Sequence, residues 1–125
     1  MKQEIEEIVK DLCSPEGEFP TKIINQNGYN FLSFSWGPKN LFEYFKLYED
    51  HQNKDMIVYN DERWTYHEAY QLSSAFAQSL INDFSVKKGD RVAIASRNYP
   101  EWIFSFIAIT SIGAVAVPMN SWWTS

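Results

Sequence analysis

Apolar residues recur at intervals of three and four positions in three stretches of the chain, and this period predicts three amphipathic helices. The three stripes are, in chain order, Ile5, Ile8, Val9 and Leu12; Leu41, Phe42, Phe45 and Tyr48; and Tyr66, Ala69, Tyr70, Ser73, Phe76, Ala77, Leu80 and Ile81. Asn40 precedes the second stripe as an N-cap, and Thr65 begins a capping box with Glu68 at the start of the third. The third helix should therefore be half buried, with its polar face in solvent.

Two pairs of short stretches with the length of strands each flank a dipeptide that accepts a tight turn, which predicts two β-hairpins. Asn27-Gly28 separates residues 22–26 from residues 29–34, and Asn60-Asp61 separates residues 56–59 from residues 62–64. Asparagine and glycine both tolerate the positive φ that a two-residue hairpin turn requires.

Residues 91–118 have the pattern of a β-α-β unit. A short strand over residues 91–96 follows a turn at Gly89, and a helix then begins at Pro100 and ends at Gly113. The continuous apolar run of residues 114–117 is typical of a strand in a parallel sheet. The predicted fold class is α/β, a partial parallel-sheet subdomain with N-terminal hairpins and helices. Residues 1–37 form a helix-and-hairpin leader, and residues 38–125 form the α/β segment.

Length, charge and cysteine content narrow the functional classes. A chain of 125 residues is long enough for one domain and too short for two ordinary ones. The net charge of −5 argues against nucleic acid or an anionic membrane as the main partner. The single cysteine excludes an intramolecular disulfide, and no uninterrupted apolar run is long enough to cross a membrane. The N-terminus is acidic, unlike a signal peptide, so we expect a cytoplasmic protein.

Three motifs resemble the N-terminal part of the adenylate-forming (AMP-binding) superfamily. Residues 64–69 read WTYHEA, residues 88–94 read KGDRVAI ahead of Asn98 and Pro100-Glu101, and residues 112–120 read IGAVAVPMN. Their order and spacing make the chain similar to acyl-CoA synthetases, aryl-CoA ligases, amino-acid adenylation domains and firefly-type luciferases. Residues 120–124 are most like the bacterial fatty-acyl and general acyl-CoA synthetases. The resemblance covers residues 38–125 well and the first 37 residues more loosely.

The resemblance implies a parent enzyme that uses ATP and Mg²⁺ to convert a carboxylic acid into an acyl adenylate, and then forms a thioester with coenzyme A (CoA). That chemistry needs a Ser/Thr/Gly-rich phosphate loop and a mobile lysine. All five glycines of this chain are isolated, so it has no such loop. In the family these parts lie beyond the position of Ser125. We therefore expect an N-terminal fragment that is inactive alone, binds none of these cofactors tightly, and has the rest of the parent chain as its partner.

Two strand ends are candidate ligand sites, because ligands of open α/β sheets bind beyond the carboxyl ends of the strands. Asn120, Ser121 and Trp122 follow the second strand. By resemblance to distant acetyl-CoA synthetases, they form a candidate CoA-side loop. Ser121 and Trp122 replace glycines expected there, and packing is the alternative role. Arg97 and Asn98 follow the first strand, where they fit turn and helix-capping roles.

No catalytic or metal-binding residue is predicted. His51 and His67 have no cysteine or carboxylate partner at ligand spacing, and Cys13 has no neighbouring histidine. These residues are more simply explained as ordinary structural or exposed side chains.

Three functional hypotheses follow from these observations. The chain is part of an AMP-forming acyl-CoA ligase, part of an amino-acid or aryl-acid adenylating enzyme, or a non-catalytic α/β domain that binds a partner. Because the chain supplies few strands to cover a parallel sheet, we also expect the isolated chain to self-associate or to pack loosely. The expected apolar surface lies around Phe104, Phe106, Trp122 and Trp123.

Overall fold

The computed structural model describes residues 2–120. They divide into two compact units, the first ending at Pro38 and the second beginning at Lys39. The first unit contains helix α1 (Lys2–Leu12) and the antiparallel strands β1 (Thr21–Gln26) and β2 (Tyr29–Phe34). The turn between the strands has φ of 53° at Asn27 and 85° at Gly28. These positive values are those of a tight hairpin turn, so the predicted hairpin is confirmed.

The first unit leaves most of its apolar side chains exposed. Helix α1 has no buried residue, although its predicted apolar stripe is present. On one face of the hairpin, Ile23 lies opposite Leu32, and these two side chains are 72% and 73% exposed. Phe34 lies on the same face and is also exposed.

The second unit holds the remaining regular elements of the described chain. They are helix α2 (Leu41–Lys46), a 3₁₀ helix (Leu47–His51), strands β3 (Asp55–Tyr59) and β4 (Glu62–Thr65), helix α3 (Tyr66–Asn82), strand β5 (Arg91–Ile94), helix α4 (Pro100–Ser111) and strand β6 (Val115–Pro118). Strands β3 and β4 form the second predicted hairpin, and Asn60 in its turn has a φ of 52°.

The predicted side-chain caps of α2 and α3 are both present. The Asn40 side chain accepts a hydrogen bond from the Glu43 amide at 2.9 Å at the start of α2. At the start of α3, the Thr65 amide donates to a Glu68 carboxylate oxygen at 2.8 Å, and the Glu68 amide donates to the Thr65 hydroxyl at 3.2 Å. The reciprocal pair is the predicted capping box.

The β-α-β unit forms as predicted, with β5 and β6 paired in parallel. Gly89 and Gly113 have φ of 90° and 77°, and the Gly89 amide donates to the Gly113 carbonyl at 2.9 Å. These two turns bring the starts of both strands together. Strand β5 ends at Ile94, two residues earlier than predicted, because its only described partner strand, β6, ends at Pro118, which is the register partner of Ile94.

Two apolar clusters form the core of the second unit. The larger cluster joins α3, α4 and the parallel strands through Ala77, Leu80, Ile94, Ala108, Ile109 and Ala114. The smaller cluster joins β3, α3 and α4 through Ile57, Ala69 and Phe104. All of these residues come from helices or strands that the sequence predicts, or lie next to them.

The expected exposure of Phe104 is wrong. Its side chain is only 9% exposed, and its ring packs edge-on against Trp64 of β4 at 5.8 Å between centroids. The hairpin covers this side of α4, which the helical pattern alone does not show. Phe106 is half-buried and stacks on Trp102, whereas Trp122 and Trp123 lie outside the described residues. The α/β class, with hairpins and a small parallel sheet, is confirmed.

Candidate functional site

The carboxyl ends of β5 and β6 lie side by side at one edge of the parallel sheet. Ile94 is the register partner of Pro118, and the Met119 amide donates to the Ile94 carbonyl at 3.0 Å. The segments that leave the two strands therefore begin next to each other. Parallel sheets bind ligands at such edges, because loops from neighbouring strands enclose a crevice there.

The described residues at this edge are suited to binding and supply no catalytic group. Asn120 is exposed and follows β6 directly, whereas Ser121 and Trp122 lie outside the described residues. Arg97 and Asn98 are exposed on the neighbouring segment and offer a guanidinium and an amide. Such groups can hold phosphate or carbonyl oxygens, but none of them is a base or a nucleophile at neutral pH.

The predicted capping role of Arg97 and Asn98 is not found. The N-cap of α4 is Tyr99, which makes no side-chain capping bond, and Pro100 begins the helix. The Arg97 carbonyl accepts a hydrogen bond from the Tyr99 amide at 2.8 Å, so the main chain makes the turn. The Asn98 side chain instead borders a groove.

This groove lies between β3 and the first turns of α4 and has a volume of about 390 Å³. Its lining is mostly apolar and aromatic: Ile57, Val58, Tyr59, Asn98, Tyr99, Pro100, Trp102 and Ile103. Small-molecule sites commonly have this size and character. Sequence reasoning missed the groove, because its two walls are 40 residues apart in the chain. The Asn98-Tyr99-Pro100 segment was the one feature of the sequence that could have indicated this groove.

A second group of side chains surrounds a water-sized cavity beside the 3₁₀ helix. The cavity has a volume of about 30 Å³ and is lined by Tyr48, Gln52, Tyr66, His67 and Tyr70. Burial raises the pKa of Tyr48, and the nearby phenols of Tyr44 and Tyr66 raise it further. The Tyr48 phenol is therefore neutral at physiological pH and acts as a hydrogen-bonding group rather than a nucleophile.

The ring of His51 packs on Tyr66 with 5.3 Å between centroids, which is a structural contact. Within residues 2–120, no three His, Cys, Asp or Glu side chains are grouped as metal ligands. No helix of this part of the chain is long and apolar enough to cross a membrane. The structure therefore fits some of the cofactors expected from the sequence better than others. The strand edge offers hydrogen-bond donors for CoA. Residues 2–120 provide neither a carboxylate cluster for Mg²⁺ nor a glycine-rich loop for ATP.

Comparison with known proteins identifies the family. Residues 46–125 match the AMP-binding enzyme family. The chain is 31% identical over 68 residues to long-chain fatty acid transport protein 6 of Mus musculus, covering 54% of this chain and 11% of that protein. It is 35% identical over 65 residues to 2-succinylbenzoate–CoA ligase of Bacillus velezensis, covering 52% of this chain and 13% of that ligase.

A solved structure shows the same architecture. The N-terminal subdomain of Klebsiella oxytoca NpsA superimposes with a TM-score of 0.66 at 31% identity, covering 70% of this chain and 23% of that one. The chain therefore spans less than a quarter of each protein it resembles here.

Proposed function

This chain belongs to the AMP-binding enzyme family, and we propose that it is the N-terminal part of an AMP-forming acid–CoA ligase. That enzyme would convert a carboxylic acid and ATP, with Mg²⁺, into an acyl adenylate, and would then pass the acyl group to CoA. The observation that carries this proposal is the family match over residues 46–125. The ligase named among the curated relatives supports CoA as the acceptor, and the fatty acid transport protein supports a fatty acid as the substrate.

In the enzyme, this chain forms part of the scaffold and contributes to ligand binding. The chain alone is inactive. Residues 1–37 form a leader, and residues 38–125 form the α/β segment that carries the strand edge. The adenylation step needs groups that balance charge at the α-phosphate, and the 125 residues have no loop of the required composition. The single cysteine, most simply a reduced thiol, favours the cytoplasm, which subcellular fractionation of the tagged parent protein would test.

We assign the CoA-side loop to Asn120, Ser121 and Trp122. Asn120 follows β6 at the carboxyl edge of the sheet, and the segment with the exposed Arg97 and Asn98 leaves β5 at the same edge, so an amide and a guanidinium lie on the two segments that begin there. In the complete enzyme, Asn120→Ala should raise the KM for CoA by about 3- to 10-fold, the effect of one lost hydrogen bond. The acid-dependent ATP–pyrophosphate exchange should not change, because it precedes CoA binding.

The matched control is Asn82→Ala, an exposed asparagine at the end of α3 and outside the candidate site. It should leave both activities unchanged. If Asn120→Ala lowers the exchange rate and the CoA-dependent rate equally, the loop acts through folding or through the first step, and the CoA assignment is wrong.

The similarity to the NpsA subdomain favours a second candidate function, adenylation of an aryl or amino acid without CoA. The absence of a phosphate loop from the 125 residues keeps a third, non-catalytic binding domain as the remaining alternative. The products formed by the complete protein distinguish these functions. Fatty acids, 2-succinylbenzoate, 3-hydroxybenzoate and amino acids would each be incubated with ATP, Mg²⁺ and CoA.

A CoA thioester with equimolar AMP would support the ligase. An adenylate that CoA does not discharge would support the second function, and the absence of any acid-dependent exchange would support the third. The 125-residue chain, assayed in parallel, should show no exchange. Exchange by the isolated chain would refute the assignment of catalysis to other parts of the enzyme.

A further inference from the structure

A second groove lies in the helical layer of the second unit, where α2, α3 and α4 meet. It has a volume of about 220 Å³. Phe42 of α2 forms one wall, Ala77 and Ile81 of α3 form another, and Ile107 of α4 lies at its base. This groove shares no residue with the groove beside β3 or with the strand edge, so its binding properties are independent of the proposed ligase activity.

The groove contains one buried hydroxyl that has no hydrogen-bond partner. Ser73 of α3 is 2% exposed, and its Oγ makes no bond to main chain or side chain in the described residues. A buried hydroxyl normally has a partner, because removing it from water without one is unfavourable. A ligand oxygen that reaches Ser73 Oγ would restore this bond and would be held more tightly than an apolar ligand of the same shape.

The lining of the groove also restricts the charge of its ligand. No Asp, Glu, Lys or Arg side chain lines it, and its polar groups are hydroxyls and the amide of Gln78. A carboxylate or phosphate would lose its hydration here without an opposite charge to replace it. The groove is therefore unsuited to ATP, to CoA phosphates or to an ionised acid substrate.

The size of the groove selects small molecules. A closed apolar cavity of about 150 Å³ is large enough for benzene, so 220 Å³ accommodates one ring or a short branched chain with an oxygen. We propose that this groove binds a small, neutral amphiphile, a phenol or a short alcohol, whose oxygen bonds to Ser73 Oγ while its apolar body lies against Phe42, Ala77 and Ile107.

In the test, the 125-residue chain is titrated with phenol, benzene and benzoate. Binding of each probe is monitored by amide chemical shifts in two-dimensional NMR. Phenol should give saturable shifts in α3 and α4 and should bind about 3- to 10-fold more tightly than benzene, as expected for one hydrogen bond. Benzoate, which carries a charge, should bind more weakly than phenol.

Ser73→Ala should abolish the preference for phenol over benzene while leaving benzene binding intact. The matched control is Ser105→Ala, a half-buried serine of α4 that does not line the groove, and it should keep the preference. Thermal melting of each variant establishes that it is folded before titration.

Three outcomes would overturn the proposal. Phenol and benzene could bind the wild-type chain equally well, Ser73→Ala could retain the preference, or no probe could give saturable shifts in α3 and α4. The last outcome would mean that the groove holds water only.

Discussion

Helix α4 offers a direct test of the core, because two isoleucines on it differ mainly in burial. Ile109 is 1% exposed within the larger apolar cluster, whereas Ile103 is 36% exposed at the rim of the groove beside β3. Both lie inside the same helix, so substitution by alanine changes helix propensity by the same few tenths of a kcal/mol. The difference between Ile109→Ala and Ile103→Ala therefore measures packing.

Each substitution removes three carbon atoms. At about 0.8 kcal/mol for each buried carbon, Ile109→Ala loses about 2.4 kcal/mol of transfer free energy. The cavity left in the core adds to this loss, and measured values for buried isoleucine reach about 2 to 5 kcal/mol. Ile103 is about two-thirds buried and can be replaced by water at the rim, so we expect a loss of about 1 kcal/mol after the gain in helix propensity.

Urea unfolding followed by tryptophan fluorescence measures both losses. With a slope of about 1.5 kcal/mol per molar urea, Ile109→Ala should lower the midpoint by more than about 1 M, and Ile103→Ala by less than about 0.8 M. Unchanged slopes would show that the unfolded state is unaffected. Equal losses for the two variants, or a larger loss for Ile103→Ala, would refute the packing of α4 against α3 and the parallel strands.

Four further predictions follow from named contacts. Thr65→Ala removes the cap of α3 and should cost about 1 kcal/mol of unfolding free energy, whereas Thr65→Ser should cost much less. Hydrogen bonds from the Thr65 amide and hydroxyl lower the pKa of Glu68. The stability that Glu68 adds is therefore present at neutral pH and lost as pH falls through this lowered pKa, and acid titration of Glu68→Gln should show a smaller loss. Gly113→Ala should cost about 1 kcal/mol, because its φ is 77° and the added Cβ would lie 3.0 Å from Lys88 Cγ; an unchanged thermal midpoint would contradict the turn geometry. The chain should self-associate through exposed apolar residues of its first hairpin, and Leu32→Lys should reduce the mass measured by light scattering; a monomeric wild-type chain would rule this out.

Local interactions account for the features that the sequence predicts well. The turn at Asn27-Gly28, the capping box at Thr65 and the helix end at Gly113 each depend on residues within four positions of one another. Their side-chain and backbone requirements are therefore visible in any short stretch of sequence.

Contacts between distant elements account for what the sequence does not predict. The burial of Phe104 depends on Trp64, which lies 40 positions earlier on another element. The groove around Ser73 exists only because α2 and α4 converge on α3. The stripe on α3 correctly places Ser73 on the buried face, but no local pattern shows whether its hydroxyl has a partner.

The difference between local and long-range interactions also explains why the sequence motifs identify the family of the chain more readily than the reaction. The residues of the KGDRVAI and IGAVAVPMN segments make turns, a helix end and two parallel strands, and each has a conformational or packing role. Together they fix where the carboxyl edge of the sheet lies and which segments leave it, and this geometry is shared with the NpsA subdomain. Ligand chemistry depends instead on the side chains that those segments present. At this edge, we therefore expect substitution of Asn120, Arg97 or Asn98 to change ligand binding without changing the fold.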